Sequence, residues 1–232
     1  MTVALPALVL AAAACVAFAV RKRVNIAAPF ALAAIIAASG LLVYVGTDTS
    51  ETLLDLDVRL SPLGRLAALV ILATLFLLVL DVWIDEPAYN FFPTALAVGA
   101  AAVAVLVVSV PLAIFGFLVL GLLVPVGSFT FQIQRNRSVE AATRHFAFVA
   151  LGGCLGIASL ALTASLPHDQ PANTFVLLAV VLVVAFALLL AAIPFHTHAA
   201  LLASEVPVAA LALYFGVLVP VTFIAFVEIL TL

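Results

Sequence analysis

Charged residues are scarce in this sequence. Only 8% of its 232 residues are Asp, Glu, Lys or Arg, and the formal net charge is -3. Soluble domains carry about 25% charged residues, so the composition leaves no room for a separate soluble domain. The eight Lys and Arg residues form no basic stripe of the kind that binds nucleic acid, and we predict no nucleic-acid partner.

Cysteine is also scarce, and the common catalytic motifs are missing. The two cysteines, Cys15 and Cys154, both lie in apolar runs, where we expect them to be small packing residues rather than metal ligands. There is no Walker loop, no CxxC pair and no Ser-His-Asp order. We therefore predict no catalytic residue, no metal site and no cofactor in this chain.

Apolar residues are what the chain has in excess, at 68% of the sequence with a mean hydropathy of +1.43. A helix needs about 20 apolar residues to cross the hydrocarbon core, and eight segments qualify. We predict an all-α polytopic membrane helix bundle that forms a single domain over residues 1–232. The predicted spans are 2–20, 26–46, 65–84, 91–109, 111–132, 142–165, 173–193 and 206–230.

The basic residues predict the orientation of these spans. The first span has no positive charge before it, and Arg21, Lys22 and Arg23 follow it. By the positive-inside rule the N-terminus lies outside, and the inner loops lie near 21–25, 85–90, 133–141 and 194–205. With eight spans both termini are outside. The Ala-, Val- and Leu-rich, Lys-poor composition favours the cytoplasmic membrane of a prokaryote.

Three stretches, read in order, carry a resemblance to a known family. One runs from Pro194-Phe195-His196-Thr197-His198 without a gap to Glu205-Val206-Pro207. Another is Arg135–Phe146, a basic segment followed by Ser-x-Glu-Ala-Ala, and the third extends from Leu56-Asp57 to Glu86–Tyr89. Together they resemble the antiporter-like membrane subunits of respiratory complex I and its relatives, most closely the N-type subunit of NADH–quinone oxidoreductase.

This resemblance, which covers roughly residues 50 to 230, implies an arrangement of the spans and a set of partner molecules. Residues 1–90 would form three N-terminal spans, and residues 91–232 would form one five-helix antiporter-like repeat. The family has a second, inverted repeat, so the chain is expected to be a truncated version with about eight spans. The partners implied are other membrane subunits and lipids, with quinone, iron–sulfur clusters or flavin held in the partner subunits.

The family's proton-carrying residues have no counterpart here. Its glutamate in the fifth span and its lysines in the seventh and eighth spans fall at Leu120, Leu189 and Val217. Proton relays in membranes need ionisable side chains, and aliphatic residues cannot carry protons. The expected role is therefore an accessory, non-catalytic subunit of an ion-translocating redox complex.

A few polar residues are candidates for a residual proton path or a structural network. His196 matches the family histidine, Arg144 replaces the family lysine, and His145 follows at the inner end of the sixth span. Glu205 is expected to cap the start of the last span or to join a proton path. The candidate set is completed by His198.

Two other functions remain open from the sequence. The chain could act as a half-size ion or proton transporter together with another membrane subunit, with His196, His198 and Glu205 in place of the lost lysines. It could also be a membrane scaffold or assembly protein. The proteins that co-purify with the chain would distinguish these two functions from that of an accessory subunit.

Overall fold

The computed structural model describes residues 3–46, 50–53, 56–85, 90–130, 138–167, 171–192 and 194–231. The remaining residues, which include 86–89 and 135–137 of the stretches quoted above, lie outside this description. The elements are α1 Leu5–Val20, α2 Val24–Tyr44, β1 Ser50–Leu53, β2 Leu56–Arg59, α3 Pro62–Asp85, α4 Phe91–Val107, α5 Pro111–Thr130, α6 Ser138–Ser165, α7 Ala172–Leu189, α8 Thr197–Glu205, α9 Val208–Leu213, a π-helical turn Tyr214–Leu218, and α10 Val219–Thr231. This helical content confirms the predicted all-α class.

Within the residues that the structure describes, five helices are long and apolar enough to cross a membrane, and they lie at Val24–Tyr44, Pro62–Ile84, Val139–Ser165, Ala172–Leu189 and Val208–Thr231. The apolar helices α1 and α4, and the part Pro111–Pro125 of α5, are shorter than these five. The 16 residues of α1 cover about 24 Å, against a hydrocarbon core of roughly 30 Å. The membrane-type bundle is thus confirmed, and the count of eight spans stays a prediction.

Helix α4 lies at the centre of the bundle. It packs against α1, α2, α3 and α5, and 15 of its 17 residues are buried. A helix that is apolar all round can be buried on every side in this way. Close approach depends on small residues, because a Cβ added to Gly99 would lie 2.8 Å from the side chain of Leu75 on α3.

One end of the bundle gathers three segments that the sequence predicted to lie on the same, outer side. Strands β1 and β2 form an antiparallel hairpin between α2 and α3. Val58 of this hairpin forms a bridge with Val108 in the α4–α5 connection. The backbone N–H of Val3, near the N-terminus, donates to the carboxylate of Glu51 at 3.2 Å. The hairpin itself was not predicted.

The predicted span boundaries agree with the helices to within four residues. Pro111 opens α5 as predicted, where its missing N–H costs least. Helix α7 ends earlier than predicted because Ala191 has a left-handed φ of 53°. The N–H of Ala192 then donates to the carbonyl of Ala187 at 2.9 Å, the bond that closes a Schellman motif.

Residues 194–205 were predicted to connect two spans on the inner side, and the structure adds that most of this connection is helical, as α8. Its Ala200-Leu201-Leu202-Ala203 run consists of strong helix formers. Helix α8 ends at Glu205, and Pro207 is the N-cap of α9. The expectation that Glu205 caps the last span is therefore wrong.

The two cysteines were expected to be packed inside the bundle, and both are exposed. The expectation failed for a physical reason. Lipid tails are as apolar as the interior of the protein, so a membrane bundle lacks the hydrophobic force that draws a small apolar residue inward.

Candidate functional site

Three elements bring buried polar side chains to one place in the bundle. His145 comes from α6, His198 from α8 and Tyr214 from the π-helical turn. The exposed fractions of these residues are only 1%, 0% and 3%. His145 and Tyr214 are 69 residues apart in the sequence, so the packing of three helical segments creates this cluster.

The rings of the cluster are in contact with one another. The ring centroids of His145 and His198 are 5.4 Å apart, and those of His145 and Tyr214 are 5.1 Å apart in a T-shaped pair. Phe148, one turn after His145 on α6, stacks on His198 at 4.6 Å with an interplanar angle of 17°. Aromatic contacts of this kind fix ring orientation, so His198 is held in one orientation.

Backbone carbonyls select the tautomer of each histidine. His145 Nε2 lies 3.4 Å from the carbonyl oxygen of Leu122 on α5, and His198 Nδ1 lies 2.8 Å from that of Phe195. A carbonyl oxygen only accepts, so these two nitrogens carry the protons. In the neutral rings the other nitrogens, His145 Nδ1 and His198 Nε2, are then hydrogen-bond acceptors.

Three polar atoms of the cluster have no hydrogen-bond partner in the described part of the chain. They are His145 Nδ1, His198 Nε2 and the Tyr214 hydroxyl. Buried polar atoms are satisfied in the great majority of cases. Three orphan atoms on three touching rings therefore mark this place as the candidate functional site.

His198 is held in its neutral form. Burial lowers the pKa of its imidazole from the ordinary value of 6.5, and the hydrogen bond to the Phe195 carbonyl opposes this effect with a smaller contribution. Desolvation penalises the charged form of a base. A neutral His198 leaves its Nε2 lone pair available as an acceptor at neutral pH.

The π-helical turn carries Tyr214 into the cluster. Single π-helical turns inside α-helices occur often at functional sites. Thr222, which is fully buried, donates its hydroxyl to the carbonyl of Leu218 at 2.7 Å, just after this turn. Tyr214 was not predicted from the sequence. The available signal was that Tyr214 lies inside an apolar span. A buried tyrosine hydroxyl normally has a hydrogen-bond partner, so a tyrosine in such a span indicates a polar contact inside the bundle.

The structure separates the five predicted residues into two groups. His145 and His198 meet in the cluster. Arg144 points away from it and forms an exposed ion pair with Glu140 at 2.7 Å on the same helix. His196 is exposed at the N-terminal end of α8, and Glu205 is half-buried at its C-terminal end. The sequence prediction thus found two of the three clustered polar residues.

The three positions at which the sequence resemblance places the proton carriers differ in their surroundings. Leu189 and Val217 are fully buried, whereas Leu120 is 57% exposed and lines an apolar groove between α1 and α5. Within the described ranges, no group of three or more His, Cys, Asp or Glu side chains is arranged to hold a metal ion. The chemistry that this cluster offers is the hydrogen bonding and proton exchange of two imidazoles and one phenol.

The fold is similar to that of chains in two respiratory membrane complexes. One is respiratory complex I from Thermus thermophilus with bound aureothin, with a TM-score of 0.79 and 15% sequence identity over 96% of this chain. The other is the membrane-bound sulfane sulfur reductase, an archaeal respiratory membrane complex, with a TM-score of 0.76 and 18% identity over 97% of this chain. At these identities the likeness concerns the fold alone.

The present chain is much shorter than both of these similar chains. It covers 52% of the complex I chain and 40% of the sulfane sulfur reductase chain. No family model matches the sequence, and no curated protein matches it either.

Proposed function

We propose that this chain is an accessory, antiporter-like subunit of a multi-subunit, ion-translocating membrane redox complex, and that it has no working proton relay of its own. The observation that carries the proposal is the fold, which is shared over nearly the whole chain with chains of two respiratory membrane complexes. Quinone, iron–sulfur clusters or flavin would then reside in partner subunits.

The finer parts of the proposal rest on the sequence motifs. In this view residues 1–90 form three spans, residues 91–232 form one antiporter-like repeat, and the last helix is the eighth span. The N-type subunit, which the sequence motifs resemble, is the proposed counterpart. The proposed membrane is the prokaryotic cytoplasmic membrane, with both termini outside, in keeping with the basic residues near 21–25 and 133–141.

The interior of the bundle supports the absence of a proton relay. The sequence has no ionisable residue from Gly116 to Val124 or from Val183 to Ala192, and the buried helix α4 has none over its whole length. A charge at the bilayer centre is costly and is kept where it serves function. A stretch of Leu, Val and Ala in these places leaves no group to pass a proton along.

The outer surface supports membrane partners. Helix α7 exposes Val176, Leu177 and Val180, which suits contact with lipid tails. An apolar groove of about 400 Å³ opens between α1 and α5, with α4 at its base and with several alanines along its walls. Small residues favour close helix contact in membranes, so we assign this groove to a helix of a partner subunit.

The test is purification of the tagged chain in mild detergent, with mass spectrometry of all co-migrating proteins. Redox subunits in stoichiometric amount are expected. Ala11→Trp should displace a partner helix from the groove, because Ala11 lines it. Ala12→Trp is the matched control, since Ala12 is also exposed on α1 but does not line the groove.

The outcome of this purification distinguishes between the candidate functions. Loss of a redox subunit with Ala11→Trp and its retention with Ala12→Trp would support the proposal in detail. Recovery of the chain alone, or with one small membrane protein, would refute it. Recovery with assembly intermediates only would identify a scaffold or assembly protein.

A half-size ion transporter is the second candidate, and the buried cluster is the observation that favours it. His145, His198 and Tyr214 are ionisable groups inside the bundle. His196 and Glu205, which lie outside the cluster, do not extend it toward a path. Ion flux in liposomes that contain the chain together with the membrane subunit that co-purifies with it, abolished by His145→Phe and unaffected by His196→Phe, would establish transport. Absence of flux from these liposomes would exclude it.

A further inference from the structure

We propose that the cluster of His145, His198 and Tyr214 binds a single water molecule, which joins α6, α8 and the π-helical turn. This inference goes beyond the subunit assignment and does not depend on it. It rests on the three orphan atoms, on the tautomers of the two histidines and on the surroundings of the cluster.

The orphan atoms belong to side chains that have almost no contact with solvent. The three residues are at most 3% exposed, and the orphan atoms have no partner among the described residues. Leaving a buried donor or acceptor unsatisfied is destabilising. The ring of His145 contacts the rings of both His198 and Tyr214, and one shared ligand would satisfy all three atoms.

The hydrogen-bonding capacity of the three atoms matches that of one water molecule. The carbonyls of Leu122 and Phe195 hold the ring protons on the far nitrogens, so His145 Nδ1 and His198 Nε2 both accept. The Tyr214 hydroxyl donates. A water molecule can donate to both histidines and accept from the tyrosine, and buried waters typically make about three hydrogen bonds.

A metal ion fits the cluster less well than water does. Two neutral imidazoles and a phenol bring no negative charge, and Phe148 and Phe215 pack against the rings of His198 and Tyr214. Zinc sites have about four ligands, commonly with thiolate or carboxylate among them, and an uncompensated divalent charge is costly in an apolar interior. The ligand that this environment accepts is small, polar and neutral.

Nuclear magnetic resonance of 15N-histidine-labelled protein in lipid nanodiscs tests the proposal. Long-range 1H–15N spectra should show a proton on Nε2 of His145 and on Nδ1 of His198. Magnetisation transfer from a long-lived water should reach the ring protons of both residues. Absence of transfer to both rings, with the same tautomers, would overturn the proposal.

Two variants sharpen the measurement. His145→Phe removes one acceptor and fills the space, and it should abolish the water signal at His198. His196→Phe is the control, because the exposed ring of His196 lies outside the cluster, and the water signal at His198 should persist. If His145→Phe does not fold, the transfer measured in the unmodified protein decides the question.

Added Zn²⁺ tests the competing ligand. One equivalent should leave the ring signals of His145 and His198 unchanged if the site holds water. A stoichiometric shift of both rings, with loss of the water signal, would overturn the water proposal in favour of a metal site.

Discussion

Replacing Gly156 with alanine should destabilise the bundle, because this glycine lies directly under an aromatic ring. A Cβ at position 156 would overlap the Phe115 ring, and two of the other ring carbons would be only 2.5 and 2.6 Å away. The ring cannot retreat easily. Phe115 is fully buried and forms a T-shaped pair with Phe186 at 5.3 Å.

The size of the effect follows from two opposing contributions. Overpacking of a well-packed core costs about 1–3 kcal/mol, and a ring locked by a neighbour places Gly156→Ala near the top of this range. The higher helix propensity of alanine raises the free energy of unfolding by about 1 kcal/mol and so offsets part of this cost. We therefore expect a net loss of about 2 kcal/mol, which corresponds to a Tm lower by about 4–8 °C for a chain of this length.

Thermal unfolding in detergent, followed by the fluorescence of Trp83, the single tryptophan, measures this loss. Gly116→Ala on α5 is the matched control, because nothing lies within 4 Å of a Cβ at that position. It should keep the Tm or raise it slightly. Equal Tm values for the two variants would refute the packing argument.

Three further predictions concern other features of the bundle. Ala191→Gly should raise stability by about 1 kcal/mol, seen as a higher Tm, because glycine adopts the left-handed conformation found there without strain; a lower Tm would contradict this. Ser159→Ala should lower stability by about 1 kcal/mol in the same assay. The hydroxyl of Ser159, on α6, donates to the carbonyl of Leu178 on α7 at 2.7 Å, and this hydrogen bond is lost in the variant. Thr143→Ala is the control, because Thr143 is exposed, and it should have little effect. Burial lowers the pKa of His198 below 6.5, so the unfolded state binds more protons and the Tm should fall as the pH drops below about 6.5. His198→Phe should weaken that dependence, and an unchanged pH profile would contradict the assignment.

The sequence predicts the helices well because membrane insertion depends on local composition. A run of about 20 apolar residues crosses the bilayer whatever its neighbours are, and proline positions such as Pro111 locate helix starts. The sequence is less informative between the spans. Helix α8 was not predicted because membrane spans are recognised as apolar runs of about 20 residues, and α8 has only nine residues.

The candidate site was predicted only in part. His145 and His198 were identified as polar residues in an apolar chain, but so were His196, Arg144 and Glu205, which lie outside the cluster. Residues 196 and 198 differ by two positions in one short segment. Which of them turns inward depends on how α8 packs against α6, and the residue sequence of α8 does not record that choice.

The amino-acid sequence by itself determined that this protein is a bundle of apolar helices with almost no charge in its interior, because hydropathy acts segment by segment. The tertiary structure decided which polar groups are buried together. His145, His198 and Tyr214 meet only when α6, α8 and the π-helical turn pack side by side, and the cost of leaving their polar atoms unsatisfied exists only in that packed interior.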